Sequence, residues 1–328
     1  MLISKIQKID SNKKISFIYD KLSKLQSVLR FTPFYCKFVL SKNDTKTKRI
    51  METIIPKVDS ILVPTDFSEV GNAAVLQAVE IAKLHAGVVH LLHVVESKKN
   101  ETHDECLTLL KQSAQATSYS LCEYIIEEGD IFSAIDTVAE RIGADLIIMG
   151  THGKIGLQKL LGSNALKVID STKIPLMVVQ NKVIPGGFKN ILFPVSLADE
   201  DRQKTTIAIR LAKMFNSTIH IFPRYESTKT GEKQMISTIL QIKAYFTKYD
   251  IAFEVAPLLT STDNFEKKIL DYSAQINADL IIIMSDSDDH FIPLFGSKEE
   301  DVLFNSMKIP VICVEEKKIK KARFSTAG

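Results

Sequence analysis

From residue 60 onward, short apolar runs alternate with longer stretches of helical period. "ILVP" and "VVHLLHVV" are β-branched runs of strand length, and between them "AAVLQAVEIAKLH" puts Val75, Ala78, Val79 and Ala82 at helical spacing. "CEYIIEEG" predicts a third strand, "DIFSAIDTVAERIG" a helix with Ile131, Ile135 and Val138 on one face, "ADLIIMG" a fourth strand and "PLMVV" a fifth. Strands separated by helices must pair in parallel, through right-handed crossovers. The expected class is therefore α/β, a doubly wound parallel sheet of Rossmann-like type with helices on both faces. The apolar runs themselves are core.

The pattern then repeats. "SILVPTDFSEVGNAAVLQAVEIAKLHAGVVHLLHVVES" lies over "NILFPVSLADEDRQKTTIAIRLAKMFNSTIHIFPRYES" without a gap, at an offset of 130 residues. Further on, "ADLIIMG" matches "ADLIIIMS", and "TKIPLMVVQ" matches "MKIPVICVE". Two tandem copies of one unit are expected, over residues 51–183 and 188–316, with Pro185, Gly186 and Gly187 in the linker. Only residues 181–189 join the copies, and each copy alone would leave its last strand bare. The runs "PLMVV" and "PVICV" are thus the candidate edges for a pseudo-two-fold contact within the chain, or for pairing between chains.

One stretch is not explained by core formation. "IMGTHGKIGLQKLLGSNALKVI" places Gly150, Gly153 and Gly156 directly after the fourth strand, then Gly162, Ser163 and Asn164 before a helical pattern. In doubly wound folds ligands sit beyond the carboxyl ends of the strands. Missing side chains at Gly150 and Gly153 would let a ligand approach the backbone, and the helix opening at Gly162 would offer N–H groups and a positive dipole end to a phosphate. Two readings stay open at this point: a loop for a phosphorylated ligand, or an irregular turn whose glycines serve only positive φ. The loop contains neither G-x-x-x-x-G-K-[ST] nor G-x-G-x-x-G.

Composition narrows the classes. The chain has 328 residues, 45% hydrophobic and 25% charged, enough for two cores. The net charge of +3 hides an asymmetry, since residues 1–50 carry 12 Lys/Arg against 3 Asp. The remainder carries 30 basic against 36 acidic side chains, which argues against a nucleic-acid surface. Residues 1–50 are expected to be a poorly ordered basic extension, although "ISFIYDKLSKLQSVLRF" has an amphipathic pattern; residues 317–328 form a basic tail. Cys36, Cys106, Cys122 and Cys313 are far apart, without C-x-x-C, so neither a disulfide framework nor a zinc site is expected. No apolar run is long enough for a membrane span, and no signal segment is seen; a cytoplasmic location is expected.

Taken in order, "ILVPTDFSE", "LLHVVE" and "MGTHGKIGL…GSNALKVI…IPLMVV" resemble the universal stress protein family, strongly over about residues 58–180 and more weakly over about 188–315. The duplication makes the chain similar to tandem members. Nucleotide-binding members carry G-x-x-G, nine residues and then G-[ST], and use it for the ribose and phosphates of ATP; here eight residues separate Gly153 from Gly162. The resemblance implies a nucleotide site in which Asp66 sits at the nucleoside end, Val94 contacts adenine, and Gly150, Gly153, Gly162, Ser163 and Asn164 line the ribose and phosphates. It implies ATP as ligand, with Mg, and a stress-response role. Beside it stands the local reading of Asp66 as a helix N-cap, with Ser68 an equal candidate. His93 and His152 are read as structural.

The second copy replaces Asp66 by Ser196, Gly150 by Ser285 and Gly153 by Asp288, and its loop "SDSDDHFIPLFGS" gathers Asp286, Asp288 and Asp289, which would repel a triphosphate. These aspartates do not match a calcium loop, and no metal site is assigned. The expectation is one nucleotide site, in the first copy, with at most slow hydrolysis because no nucleophile is paired with a base. A protein partner or a homodimer is compatible with this. The alternative is a structural or interaction module of the same fold that binds no nucleotide. An adenylate-forming or pyrophosphatase-type enzyme is disfavoured by the lack of a Ser-Gly-Gly-x-Asp-Ser loop.

Overall fold

The computed structural model describes residues 58–95, 102–151, 172–197, 204–257, 264–285 and 298–315, with Val168, Leu259 and Ser261 besides. In its first half these form β1 (Ser60–Pro64), α1 (Glu69–Ala82), β2 (Val88–Val95), α2 (His103–Gln115), β3 (Cys122–Glu128), α3 (Ile131–Ile142), β4 (Leu146–Gly150) and β5 (Leu176–Val179). The second half follows with β6 (Asn190–Val195), α4 (Thr205–Phe215), β7 (Thr218–Pro223), α5 (Lys229–Lys248), β8 (Ala252–Val255), α6 (Phe265–Gln275), β9 (Leu280–Ser285), α7 (Lys298–Leu303) and β10 (Val311–Glu315). The expected strands and the helices around Val75 and Ile135 lie where the periodicity placed them.

Among the described residues, the ten strands belong to one sheet, in the order β3-β2-β1-β4-β5-β10-β9-β6-β7-β8. Every pairing is parallel except the central one, where β5 and β10 run antiparallel with Val178 opposite Val311 and Leu176 opposite Cys313. The last strand of each half thus covers the other's edge. Strand order reads the same outward from this seam in both directions.

Alternate residues of each strand feed two cores, as the two-residue strand period demands. Ile61, Val63, Leu146, Ile148, Met177 and Val179 face one side, with Ile191, Phe193, Ile282 and Ile312, under α1, α2, α4 and α5. Leu62, Ile147, Leu176 and Val178 face the other, with Leu192, Ile281 and Val311, under α3, α6 and α7. Helix ends follow local chemistry. Thr102 and Glu105 form a reciprocal capping box on α2, Asp130 caps α3, and Gly143 closes α3 in the left-handed conformation.

Helix α1 also fixes the connection between the halves. Buried Gln77 accepts a hydrogen bond from Ile184 N at 2.8 Å, and Glu80 accepts one from Gly186 N at 3.0 Å. Gly187, at φ +82°, has no room for a side chain, since a Cβ there would lie 1.8 Å from the Phe215 ring. A swinging linker is incompatible with these contacts.

Both outer edges repeat one device. His90 on β2 faces Glu123 on edge strand β3 at 3.1 Å, and His220 on β7 faces Glu254 on edge strand β8 at 3.6 Å. Burial holds both imidazoles below their ordinary pKa, and the facing glutamates only partly oppose it. A depressed folded-state pKa means that the unfolded chain binds more protons in this range, so the contribution to stability is present above the ordinary imidazole pKa and is lost as pH falls through the folded value. The melting temperature is expected to drop as pH goes from about 7.5 to about 5.5, and the His90→Gln/His220→Gln double variant should show a shallower slope. Equal slopes would remove the histidines from the account.

Candidate functional site

The sheet changes winding direction between β1 and β4: β1 pairs with β2 on one side, through Pro64 opposite Leu92, and with β4 on the other, through Leu62 opposite Ile147. Such a switch point opens a crevice at the carboxyl ends of the strands. Asp66 and Val94 each lie two residues beyond the paired Pro64 and Leu92, so they leave the sheet at one level. Counting on from the β1–β4 register, Thr151 comes level with Asp66. Three segments of the predicted set thus converge on one end of the crevice.

The turn after β1 is held at several points. Thr65 N donates to Leu92 O at 2.8 Å, continuing the ladder, and Thr65 Oγ1 accepts from Phe67 N at 3.1 Å. Asp66 Oδ1 accepts from Ser68 N at 3.1 Å while the side chain stays exposed. The N-cap of α1 is Ser68, whose hydroxyl accepts from Gly71 N at 3.2 Å. The local alternative for Asp66 is therefore corrected: it stabilises the turn and does not cap the helix. Phe67 adopts a left-handed backbone, φ 63°, which a bulky residue rarely takes, and its ring lies 4.5 Å from that of His93. His93 is buried, with Nδ1 2.9 Å from Thr65 O, so the reading of it as structural fits its place. Val94 is half-buried and packs with the core under α3.

Gly150 has a different reason from the one its position suggests. A Cβ there would lie 2.1 Å from Val70 O and 2.8 Å from Gly71 N, inside the first turn of α1. The missing side chain admits the helix, a packing reason for glycine at this position. Gly153, Gly162, Ser163 and Asn164, with His152, fall outside the described residues, as do Asp286, Asp288 and Asp289 of the second half. Among described residues, Ser196 stands at the end of β6 where Asp66 stands after β1.

Two residues without a sequence prediction hold the strand starts. Asp145 Oδ2 accepts from Asp59 N and Ser60 N at 3.0 Å and 3.1 Å; Asp279 Oδ2 accepts from Lys189 N and Asn190 N at 2.8 Å and 3.0 Å. The repeated "ADLII" carried the signal, hidden because its aspartate precedes an apolar run that reads as core.

Among the described residues, no helix is long and apolar enough to cross a membrane. The model of the universal stress protein family matches residues 57–180. Universal stress protein MJ0531 of Methanocaldococcus jannaschii is 33% identical over 138 residues, a match covering 37% of this chain and 81% of that protein. Universal stress protein MJ0577 of the same organism is 31% identical over 153 residues, covering 37% of this chain and 94% of that protein. A crystal structure of a universal stress protein from Archaeoglobus fulgidus matches 80% of this chain and all of its own, with a TM-score of 0.62 at 21% identity, a likeness of fold.

Proposed function

From the premise that this chain belongs to the universal stress protein family, we propose that it is a tandem member binding one adenine nucleotide, in its first half. The two domains are residues 51–183 and 188–316, with 1–50 as an extension and 317–328 as a tail. The observation that supports this most is the switch-point crevice, where Asp66, Val94 and the start of the loop after Gly150 come to one level. The described part of the crevice fits a nucleoside: an exposed carboxylate can accept from ribose hydroxyls or an exocyclic amine beside the half-buried Val94. Gly153, Gly162, Ser163 and Asn164 would hold the phosphates, with Mg as their counterion. The role is regulatory or protective, in a cytoplasmic stress response, with nucleotide as signal or stabilising ligand. Hydrolysis is at most slow, because the His93 ring is engaged with Thr65 O and packed at a tilt against Phe67.

A second reading draws on a specific observation. Gly150 is fully accounted for by its approach to Val70, so one glycine of the pattern needs no ligand. The same fold would then serve as an interaction module without nucleotide.

Titration calorimetry with ATP on the intact chain separates the two. One equivalent is expected, with loss of binding in Gly153→Glu, which puts a negative side chain against the phosphates, and weaker binding in Asp66→Ala. No heat at about millimolar ATP, where a Kd corresponds to about −4 kcal/mol, favours the module. A stoichiometry of two would return a site to the second half.

A further inference from the structure

Helix α5 carries a surface that neither the core nor the candidate site uses. It buries Met235, Ile242 and Phe246, and the Phe246 ring meets Phe193 edge-on at 5.6 Å. On its outward side Ile236 and Leu240 stay 51% and 58% exposed. Lys229, Lys233, Ile236, Leu240 and Lys243 follow one another at spacings of four, three, four and three residues, which puts them on one stripe of the helix. Lysines thus stand before and after an aliphatic ridge. Lys243 lays its stem along the protein, with Nζ 5.9 Å from the centre of the Phe253 ring. With Lys248 the helix holds four lysines against Glu232 alone. The fold does not require this charge: α2, which follows β2 as α5 follows β7, opens on Asp104 and Glu105 and has Lys111 as its sole lysine. Residues 51–316 together carry 25 Lys/Arg against 36 Asp/Glu, so a basic helix is set in an acidic body.

We propose that α5 is an interfacial helix, which lays this stripe on an anionic lipid surface. Lysines alone would suit any polyanion, but an outward aliphatic ridge has no use on nucleic acid, and α5 lacks the arginine forks that recognise phosphate in pairs. A convex ridge bordered by lysines is the form of helices that lie in the plane of a membrane, with the aliphatic side chains below the headgroups and the ammonium groups among the phosphates. Because its other face is already packed in the core, α5 presents the ridge without the ordering cost that a free peptide meets at a surface. Two aliphatic anchors bind weakly, and stable association takes a second signal. The sequence supplies it: residues 1–50 carry 12 Lys/Arg against 3 Asp, and residues 317–328 carry five Lys/Arg and no acidic residue. Repulsion of the acidic remainder selects the side that approaches the lipid. The contact is peripheral and does not rest on nucleotide binding.

The chain contains no tryptophan, so Leu240→Trp provides a probe at one site. On vesicles of phosphatidylcholine with about one third phosphatidylserine, its emission is expected to shift to the blue as the indole leaves water, and vesicles of phosphatidylcholine alone should leave it unchanged. Flotation of the full chain with the mixed vesicles should show binding at about 0.1 M salt that weakens several-fold at about 0.5 M. Lys229→Glu/Lys233→Glu and Ile236→Gln/Leu240→Gln should each cut this binding by roughly tenfold or more, with the melting temperature nearly unchanged because all four side chains are exposed. An indole that stays in water while the protein floats with the vesicles overturns the proposal, since the basic termini alone would then hold it. Absence of binding, or binding indifferent to either double variant, also overturns it. So does an Ile236→Gln/Leu240→Gln variant that floats normally but has lost a self-association seen in the wild type, since the ridge would then face a second copy.

Discussion

Gly150→Ala is expected to lower stability by about 3 kcal/mol or more, the upper range for forcing atoms into a packed site. The new Cβ would stand 2.1 Å from Val70 O and 2.3 Å from Val70 C, and backbone atoms cannot swing aside as a flexible side chain can. Either β4 retreats from β1 or the first turn of α1 lifts off the sheet, taking the Ser68 cap and the Asp66 turn with it. At roughly 2–4 °C per kcal/mol, the melting temperature should fall by about 6–12 °C. Gly143→Ala is the control. It has φ +63°, but a Cβ added there would meet no atom within 4 Å, so only the backbone preference of about 1 kcal/mol opposes it. Similar losses at both glycines, read by thermal unfolding, would mean that β4 and α1 yield at little cost and that Gly150 is there for another reason.

This contrast also marks how far the sequence could be read. Strand and helix placement was legible because the period is set by local geometry: Ile61 and Val63 face one core and Leu62 the other, a two-residue alternation that any reader of the chain can count. The seam between β5 and β10 was legible because both runs are apolar and terminal in their repeats. Helix α2 was not, since its three buried residues, Cys106, Leu110 and Ala114, make too sparse a stripe among polar neighbours. Site residues are harder, because one residue type satisfies several demands. A glycine after a strand looks the same whether a ligand or the Val70 carbonyl fills the space beside it. Asp66 could cap a helix or brace a turn, and only the position of Ser68 Oγ near Gly71 N decides. Asp145 and Asp279 were hidden for the converse reason: their partners are backbone N–H groups about 85–90 residues away, a distance over which periodicity carries no information.

The other large effect is expected at Asp145, which joins the two halves as well as holding its own. Its Oδ2 receives two backbone N–H groups at the start of β1, and its Oδ1 receives Arg210 Nη2 of α4 at 2.7 Å. Arg210 keeps only 11% of its side chain exposed and Asp145 only 29%, so the pair is poorly screened by water. Asp145→Ala removes one acceptor shared by two peptide donors and a nearly buried guanidinium, a loss of about 3 kcal/mol, less than for a fully buried pair because one side remains wet. Asp279→Ala removes the matching two backbone contacts in the second half, from Lys189 N and Asn190 N, and should cost about 2 kcal/mol. The difference between them is the contribution of the bridge across the seam. A double-mutant cycle with Arg210→Leu isolates it: coupling above about 1 kcal/mol is expected, and it should shrink only modestly in high salt because the partners are sheltered. If the two alanine variants unfold at the same denaturant concentration and the cycle shows no coupling, the halves are held together by the β5–β10 seam and the apolar cores beneath it, and the Arg210 bridge adds nothing to that union.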